Sequence, residues 1–283
     1  MEAAMRGNTI NIDGELLCFD VPKVMGILNL TPDSFVEDSR KQTEAEIACR
    51  VEEMLAEGAD IIDVGAVSTR PGAAFLSEEE EWERLSRGLK IIREAAPRAI
   101  LSVDTFRASV ARKCVETFHV GIVNDVSGGT DEMMFRTVAE LHVPYVLTHS
   151  QGAVDHLHES IDCPDLLVEV MRTLAEKIYA LRALGVKDIV LDPGFGFGKT
   201  LEQNYELFAC LDEFRIFELP LLVGISRKSM VYRLLDTTPA EALNGTTALH
   251  ALALEHGADM LRVHDVREAV EAVRICEEIR KYQ

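Results

Sequence analysis

Asp188-Ile-Val-Leu-Asp192, followed by a helical stretch over Leu201–Phe214, is one unit of a pattern that repeats along the chain. A short apolar run of this kind is typical of a strand buried on both faces of a parallel sheet. Further runs rich in Val, Ile and Leu have the same character, which gives eight candidate strands in all. The others are Val24–Leu30, Asp60–Gly65, Ile100–Thr105, Gly121–Val126, Pro144–His149, Pro220–Ser226 and Asp259–His264.

Segments with helical periodicity separate these strands. Several end at a glycine that can adopt the left-handed cap conformation, such as Gly58, Gly185 and Gly257. Eight strand-plus-helix units of about 35 residues predict one α/β domain over residues 1–283, a closed (β/α)8 TIM barrel. An open doubly wound sheet is the alternative fold. Other examples of helical segments are Glu44–Glu57, Glu78–Ala95, Ala108–Phe118, Leu166–Leu184 and Ala240–His256.

The N-terminal residues have a different pattern. Thr9–Phe19 alternates polar and apolar residues around Asp13-Gly14, which is a strong signal for a two-residue hairpin turn. We therefore predict a short β-hairpin over residues 8–20 that covers one end of the barrel.

Composition restricts the class of partner. The chain has 283 residues, 47% of them hydrophobic, and a formal net charge of −19, which disfavours nucleic acid and anionic membranes. No apolar run approaches the roughly 20 residues that cross a bilayer, and Met1–Gly7 lacks the apolar core of a signal peptide. The six cysteines have no zinc-like or C-x-x-C spacing. We expect a cytoplasmic protein with reduced thiols.

Polar residues lie at the ends of nearly all the predicted strands. A charge that faces a barrel lumen is costly unless it is paired, so these side chains need partners. A polar ligand across the mouth of the barrel would supply them, and barrel enzymes place their chemistry at this end. The residues are Asn29, Asp63, Asp104, Asn124 with Asp125, His149, Asp192, Ser226 to Lys228, and Arg262 with His264.

The chemistry of these residues divides them into two groups. Asp104, Asn124 and Asp192 can pair with the guanidine-like edge of a heterocycle, and Lys228 would donate to its carbonyl or ring nitrogen. The second group is suited to phosphate oxygens or to a metal that carries them, and it comprises Arg262, His264, Asn29 and Thr69. The sequence therefore predicts a heterocycle held in the barrel mouth with a phosphate tail at the rim.

The motifs that carry these residues resemble those of the dihydropteroate synthases. Met25–Phe35 is similar to the first signature of that family, and Ser68–Ala73 to its second loop. The resemblance covers roughly residues 24 to 280. The other matching motifs, one to a strand and in order, are Ser102–Thr105, Val123–Asp125, Leu191–Lys199, Gly224–Ser229 and Arg262–Asp265.

The resemblance implies a role for each matching residue. Asp192, Asp104 and Asn124 would bind the amino and ring N–H groups of a pterin, and Lys228 its carbonyl side. Asn29 would hold Mg²⁺ against the diphosphate, and Arg262, His264 and Thr69 would contact the diphosphate oxygens. The p-aminobenzoate pocket would be formed by Phe35, Arg70, Pro71, Phe197, Lys228 and Ser229.

The reaction implied is the joining of a dihydropterin diphosphate to p-aminobenzoate with release of pyrophosphate. The aromatic amine is neutral at pH 7, so no strong general base is needed. Catalysis then depends on neutralising the leaving group, by Mg²⁺, Arg262, His264 and, in the predicted catalytic set, Asn29 and Lys228. We also expect ordered binding with the pterin first. The resemblance implies a homodimer formed through outer helices, and an apolar stripe of Ala248, Leu252 and Val270 is compatible with that interface and equally with packing on the barrel.

Three loops depart from the family pattern. Ser34–Ser39 lacks the usual glycines after the first strand, Gly65–Val67 replaces Gly-Gly-Glu, and Thr148–Gly152 has serine where the family often has methionine. Ser150 cannot pack on a pterin face as a methionine would. These changes affect the loops and leave the pterin and diphosphate groups intact.

Alternative interpretations remain open at this point. A pterin-dependent methyltransferase would share the barrel and the acidic pterin edge, a Schiff-base aldolase would use Lys228 as nucleophile, and a pterin-binding protein would lack catalysis. Locally, Asp125 suits a turn as well as a ligand, Asp63 could orient the second loop, and Glu78–Glu81 is most simply a solvated first turn. His156 and His158 are more simply solvated than metal-bound.

Overall fold

The architecture is an eight-stranded parallel barrel surrounded by helices. A computed structural model describes residues 9–30, 40–66, 76–150, 163 and 165–283. The barrel strands are β3 (Lys23–Asn29), β4 (Ile61–Gly65), β5 (Ile100–Asp104), β6 (Ile122–Asp125), β7 (Tyr145–Thr148), β8 (Ile189–Asp192), β9 (Leu222–Val223) and β10 (Met260–Val263).

Strand order shows how the barrel closes. The sheet runs β8-β7-β6-β5-β4-β3-β10-β9, and every pairing is parallel. A parallel bridge between Leu191 and Leu221 joins its two edges, and the Leu191 N–H donates to the Pro220 carbonyl at 2.8 Å. The prediction of a closed barrel is therefore confirmed, and the open doubly wound sheet is wrong.

Helices pack around the barrel, and local signals set several of their ends. Ser77 and Glu80 form a capping box at the start of the second helix, as do Thr200 and Gln203 at the start of the sixth. No helix in the described residues has both the length and the apolarity needed to cross a bilayer. The helices are α1 (Arg40–Glu57), α2 (Glu78–Ala95), α3 (Ala108–Phe118), α4 (Met134–Leu141), α5 (Leu166–Ala183), α6 (Leu201–Ala209), α7 (Ser229–Leu234), α8 (Leu243–Glu255) and α9 (Val266–Arg280).

The strands separate two apolar clusters because successive side chains point to opposite faces. The larger cluster lies between sheet and helices and includes Val64, Val103 and Leu191. The smaller cluster fills the lower barrel lumen with one residue from most strands, a packed floor like that of other barrels of this type. Its strand residues are Met25, Ile61, Ile122, Val146, Val190, Leu222 and Met260, with Ile100 packed against them.

The predicted hairpin is confirmed, and it covers the floor. Strands β1 (Thr9–Ile12) and β2 (Glu15–Cys18) pair antiparallel across a turn in which Asp13 has φ 54° and Gly14 has φ 91°. Ile10 and Phe19 belong to the lumen cluster, with 1% and 3% of their surface exposed. The Asn11 N–H donates to the Asp188 carboxylate at 3.1 Å, just before β8 begins. The hairpin therefore closes the N-terminal end of the barrel.

Strand β9 is shorter than the predicted strand Pro220–Ser226. The ladder stops at Val223 because the chain turns directly after Ile225, whose carbonyl accepts the Lys228 N–H at 3.1 Å. Arg227 occupies the left-handed region in that turn, with φ 53°. Extended pairing cannot continue through such a conformation.

Three helices also differ from their predicted bounds by more than one residue. The helix predicted over residues 44–57 begins four residues earlier, at Arg40. The helix predicted over residues 240–256 begins at Leu243, because Arg227 Nη1 binds the carbonyls of Pro239 at 2.9 Å and Ala240 at 2.6 Å in an irregular turn. The helix predicted over residues 201–214 ends at Ala209, and a 3-10 segment, Leu211–Phe217, follows it.

A cavity of about 530 Å³ lies beside the hairpin, on the floor side of the barrel. Its walls are mixed, with apolar residues such as Val115, Val138 and Val186 beside the polar residues His119, His142 and Lys187. Its lining comes from the hairpin and from the chain that leads into β6, β7 and β8. The polar strand ends that carry the predicted chemistry lie at the opposite end of the barrel, so this cavity is not the candidate active site.

Phe19→Ala should destabilise the protein, although it changes none of the polar residues at the mouth of the barrel. Phe19 is a buried aromatic residue in the lumen cluster, and truncation of such a residue typically costs about 3–5 kcal/mol. Urea unfolding followed by circular dichroism measures the loss. A change below about 1 kcal/mol would contradict the role of the hairpin as part of the core.

Candidate active site

The site is built from one residue on each strand, which lies two positions after the residue that the strand contributes to the apolar floor of the lumen. Since side chains alternate, these residues also face the lumen, one layer closer to the C-terminal end. The layer is mostly polar, where the floor is apolar. Its members are Ile27, Asp63, Ser102, Asn124, Thr148, Asp192, Gly224 and Arg262.

Arg262 is at the centre of this layer. Its Nε donates to Asp63 Oδ2 at 2.6 Å, and its Nη2 donates to Asp104 Oδ2 at 2.6 Å. Asn124 Nδ2 also donates to Asp63 Oδ2, at 3.0 Å. These bonds reach from β10 across the mouth to β4, β5 and β6, so one guanidinium connects four strands.

Burial and charge act in opposition on this cluster. Burial alone would lower the pKa of Arg262, but the carboxylates of Asp63 and Asp104 raise it above its usual value, so the guanidinium stays charged. Burial raises the pKa of Asp104 to about 7, against the attraction of Arg262 and with the repulsion of Asp63. A single cation therefore serves the buried carboxylate of Asp63 and the mostly buried carboxylate of Asp104.

Four buried polar atoms in the same layer have no hydrogen-bond partner among the described residues. They are Asp63 Oδ1, Ser102 Oγ, Asn124 Oδ1 and Thr148 Oγ1, on the adjacent strands β4 to β7. Buried polar groups are normally paired, and exceptions concentrate at functional sites. The lumen wall from β4 to β7 is therefore left with acceptor capacity, which suits a ligand rich in N–H groups.

Asp192 lies at the end of β8, next to that wall, and is the direct ladder partner of Thr148 on β7. Its Oδ1 accepts the Gly194 N–H at 2.8 Å, and burial raises its pKa while Lys228 opposes the shift. Gly224, on the next strand, keeps space open above it, since a Cβ there would lie 3.9 Å from Asp192 Oδ2 and 3.8 Å from Arg262 Cβ. The carboxylate is thus held by a backbone bond and keeps its second oxygen toward the mouth.

Lys228 occupies the same side of the mouth. Its Nζ donates to the Phe195 carbonyl at 2.7 Å and lies 4.7 Å from the centre of the Phe197 ring. Burial lowers its pKa to about 8, and Asp192 limits the shift. Ser229 follows it as the first residue of α7 and is half-buried. The structure therefore brings together four of the predicted residues: Asp192, Lys228, Phe197 and Ser229.

Two residues of the predicted diphosphate group, Asn29 and His264, lie at the rim. Asn29 ends β3 and is exposed. His264 follows β10, and both its backbone N–H and its Nδ1 are 3.1 Å from Ser226 Oγ. Arg50, from α1, donates to the His264 carbonyl at 3.2 Å. Arg262 lies deeper than predicted for a rim cation, since its Nε and Nη2 bind carboxylates.

Two strand-end residues that we expected to face the lumen point outward instead. Asp125 accepts hydrogen bonds from the Ser127 N–H, the Ser127 hydroxyl, the Gly129 N–H and the Tyr145 hydroxyl, at 2.6–2.9 Å. It is therefore a turn residue, as one of the two interpretations held. His149 bonds to Lys199 behind the barrel wall, with Nδ1 to Nζ 3.1 Å. Both face outward because they are one residue out of phase with the inward positions Asn124 and Thr148.

Two acidic residues differ from their predicted surroundings. Asp63 is fully buried and bonds Arg262 and Asn124, so it organises the polar layer rather than only orienting a loop. Glu81 is not solvated with the rest of its run. It is fully buried, accepts the Thr105 hydroxyl at 2.5 Å and pairs with Arg107.

The sequence interpretation missed Ser102, Thr148 and Lys199 as parts of this site. The first two carry a usable signal, since each follows a floor residue by two positions. Phe35, Thr69, Arg70 and Pro71, predicted for the diphosphate and p-aminobenzoate, lie outside the described residues, as do His156, His158 and much of the three departing loops.

Comparison with known proteins agrees with this geometry. The family model described as "pterin binding enzyme" matches residues 25–264. The dihydropteroate synthase of Escherichia coli K12 is 42% identical over 270 residues, 93% of this chain and 94% of that protein. The dihydropteroate synthase of Clostridium beijerinckii is 39% identical over 257 residues, 89% of this chain and 92% of that protein.

Solved structures show the same relationship. The Yersinia pestis dihydropteroate synthase in a sulfonamide drug complex has a TM-score of 0.87 and 38% identity, with 97% of this chain and 100% of that chain covered. The Xanthomonas albilineans dihydropteroate synthase with 4-aminobenzoic acid has a TM-score of 0.86 and 35% identity, with 97% and 98% covered. This chain therefore belongs to the dihydropteroate synthase family of pterin-binding enzymes.

Proposed function

We infer that the chain is a transferase that joins a dihydropterin diphosphate to p-aminobenzoate and releases pyrophosphate, a step of folate biosynthesis. The family relationship supports the activity. The observation that carries it in this molecule is the polar layer at the barrel mouth. There, buried acceptors and the cations Lys228 and Arg262 lie at one end of the same lumen.

The pterin would bind within this layer. Asp192 presents a carboxylate oxygen that can accept N–H groups of the ring edge, and Asp104 and Asn124 line the same lumen from β5 and β6. Unbonded acceptors on β4 to β7 favour a ligand that donates several hydrogen bonds. Lys228, already fixed by the Phe195 carbonyl, would donate to the carbonyl side of the pterin.

The diphosphate would extend toward the rim. Asn29 and His264 lie there, Thr69 belongs to the second loop, and Arg262 could reach a phosphate with Nη1, since its bonds to described residues use Nε and Nη2. These groups would neutralise charge on the leaving pyrophosphate, an electrostatic contribution often worth several kcal/mol. The net charge of −19 makes such a local cation group necessary for an anionic substrate.

The family implies Mg²⁺, and the residues present fit an ion that arrives with the diphosphate. No group of three His, Cys, Asp or Glu side chains in the described residues forms a ready-made metal site. Asn29 offers an amide oxygen at the rim, and a Cβ at Gly65 would lie 3.7 Å from both Asn29 Oδ1 and Asp104 Oδ2. Mg²⁺ commonly takes one or two protein oxygens and completes its shell with phosphates and water. Bound there, it would supply positive charge to the leaving group.

The p-aminobenzoate would enter above the pterin. Phe197 and the stem of Lys228 give an apolar and cationic wall, and Ser229 offers a hydroxyl for the carboxylate. Phe35, Arg70 and Pro71 would complete this pocket from the two loops. In the reaction the amine nitrogen forms a bond to the pterin methylene carbon, the carbon–oxygen bond to pyrophosphate breaks, and the amine releases a proton.

A homodimer formed through the last helices is part of this proposal. Leu252 on α8 and Ile275 and Ile279 on α9 are 49%, 62% and 50% exposed, and the two helices touch between Ala251 and Cys276. Contiguous exposed apolar side chains of this kind mark interaction surfaces. Val270, which the sequence suggested for the stripe, instead packs on the core. A cytoplasmic location and the lack of nucleic-acid and membrane partners remain predictions of the sequence.

The activity can be tested by measuring pyrophosphate release from dihydropterin diphosphate and p-aminobenzoate with Mg²⁺. We expect turnover that falls when a chelator removes the metal and that requires both substrates. A methyltransferase or a pterin-binding protein would release no pyrophosphate, and a Schiff-base enzyme would be trapped at Lys228 by borohydride. Calorimetric binding of p-aminobenzoate to the enzyme alone would contradict ordered binding.

Asp192→Ala should abolish pterin binding. Ring N–H groups left unpaired in a buried site cost about 1–3 kcal/mol each, and Lys228 would lose its nearest compensating charge. Calorimetry with the pterin substrate measures the affinity, and thermal melting checks the fold. Unchanged affinity would refute the placement of this carboxylate.

Ile275→Glu should shift the protein from dimer to monomer. A charge placed in a desolvated apolar interface is strongly unfavourable because it has no partner there. Light scattering gives the mass, and Tyr179→Glu, at an exposed residue of α5, is the matched control. A dimer that persists in Ile275→Glu would place the interface elsewhere.

A further inference from the structure

Lys199 is a buried lysine that the proposed reaction does not use. It follows β8 by seven residues, and only 9% of its surface is exposed. Its Nζ donates to the Gly194 carbonyl at 2.8 Å and to the Phe197 carbonyl at 3.3 Å, and lies 3.1 Å from His149 Nδ1. An ammonium has three donors, and here three acceptors surround it.

The state of His149 fits this arrangement. Burial, together with the nearby charges of Lys199 and Lys177, lowers the pKa of His149 to about 2, so the imidazole is neutral and Nδ1 can accept. Burial also lowers the pKa of Lys199 to about 7, while Asp192 favours its charged form and Lys228 opposes it. Burial therefore disfavours the charged form of Lys199, and packing alone does not explain why a lysine occupies this position.

The bonds of Lys199 brace the turn from Gly194 to Gly198. Gly194, Gly196 and Gly198 all have positive φ, at 72°, 83° and 61°, so the turn depends on glycine. It also lies tightly against β7, since a Cβ at Gly194 would be 1.9 Å from the His149 carbonyl oxygen. A glycine-rich turn has many alternative conformations, and Lys199 bonds both ends of this one.

The front of the same turn faces the active site. The Gly194 N–H binds Asp192, the Phe195 carbonyl accepts Lys228 Nζ, and the Phe197 ring lies beneath that ammonium. From behind, Lys199 bonds the carbonyls of Gly194, which precedes Phe195, and of Phe197, two residues after it. The two lysines therefore hold opposite faces of one turn.

We propose that Lys199 is a positioning residue that fixes Lys228 in the barrel mouth by holding the carbonyls of Gly194 and Phe197 from behind. This inference rests on the proposed function, in which Lys228 binds the pterin. Without the ammonium, the turn loses its hydrogen bonds to the Gly194 and Phe197 carbonyls. The Phe195 carbonyl and the Phe197 ring then no longer hold Lys228 in a single position. Substrate binding and turnover both suffer, although Lys199 touches no substrate.

A double-mutant cycle tests this mechanism. We expect Lys199→Met to lower kcat/KM for the pterin substrate by about 10²-fold, the order of loss that accompanies misplacement of a binding group. In a Lys228→Met background, the same change should cost less than about 3-fold, because the residue through which Lys199 acts is already gone. Calorimetric affinity for the pterin substrate gives the same cycle where turnover is too slow.

Equal losses in both backgrounds would overturn the proposal, because a general weakening of the fold is independent of Lys228. A Lys199→Met enzyme with wild-type kcat/KM would overturn it as well. If Lys199→Met does not fold in a melting experiment, Lys199→Gln, which keeps two donors, replaces it under the same criterion of non-additivity. Failure of the proposed function would appear separately, as a wild-type protein that binds no pterin and releases no pyrophosphate.

Lys177→Met is the matched control. Lys177 is a half-buried lysine of α5 that lies behind the same side of the barrel, with its Nζ 3.0 Å from the position of a Cβ at Gly128. Its removal should leave kcat/KM within about 3-fold of wild type. A loss as large as that of Lys199→Met would mean that any lysine behind this wall is needed, and would overturn the specific role of Lys199.

Discussion

The guanidinium of Arg262, shared by the buried carboxylates of Asp63 and Asp104, is the interaction on which the mouth of the barrel depends. Two carboxylates without a cation would repel each other in this lumen, and a buried cation without them would be left without a partner. Asn124 joins through Asp63, so residues of four strands are fixed by one charged group. The acceptors that would meet a pterin are therefore oriented before any ligand arrives, which is the condition for tight and selective binding.

The lumen divides stability from chemistry along the barrel axis. Seven strand residues and two hairpin residues make the floor, all apolar. One layer above them, the same strands present acids, amides, hydroxyls and Arg262. On each strand, the floor residue and the residue of the polar layer are separate positions, two residues apart. Either one can therefore change while the other is kept. Within the lumen, the cost of burying charge falls on the residues above the floor, where partners and substrate offset it.

Much of this arrangement could be predicted from sequence. Eight apolar runs with polar ends predicted the barrel, and Asp13-Gly14 predicted the hairpin. The pairing of the polar ends could not be predicted, because Arg262 meets Asp63 across 199 positions of the chain. Helices α4 and α7, with 8 and 6 residues, are too short for periodicity to identify. His149 and Asp125 were misplaced because a polar residue at a strand end was taken to face inward, whereas its facing depends on counting by two from the floor.

The hairpin on the floor restricts how substrates can enter the barrel and how products can leave it. With Ile10 and Phe19 packed into the lumen cluster, the described part of the barrel has no passage through its lower end. Every molecule that reaches the polar layer must then use the same opening as every molecule that leaves it. Incoming amine and outgoing pyrophosphate therefore share one route, through the open end of the barrel.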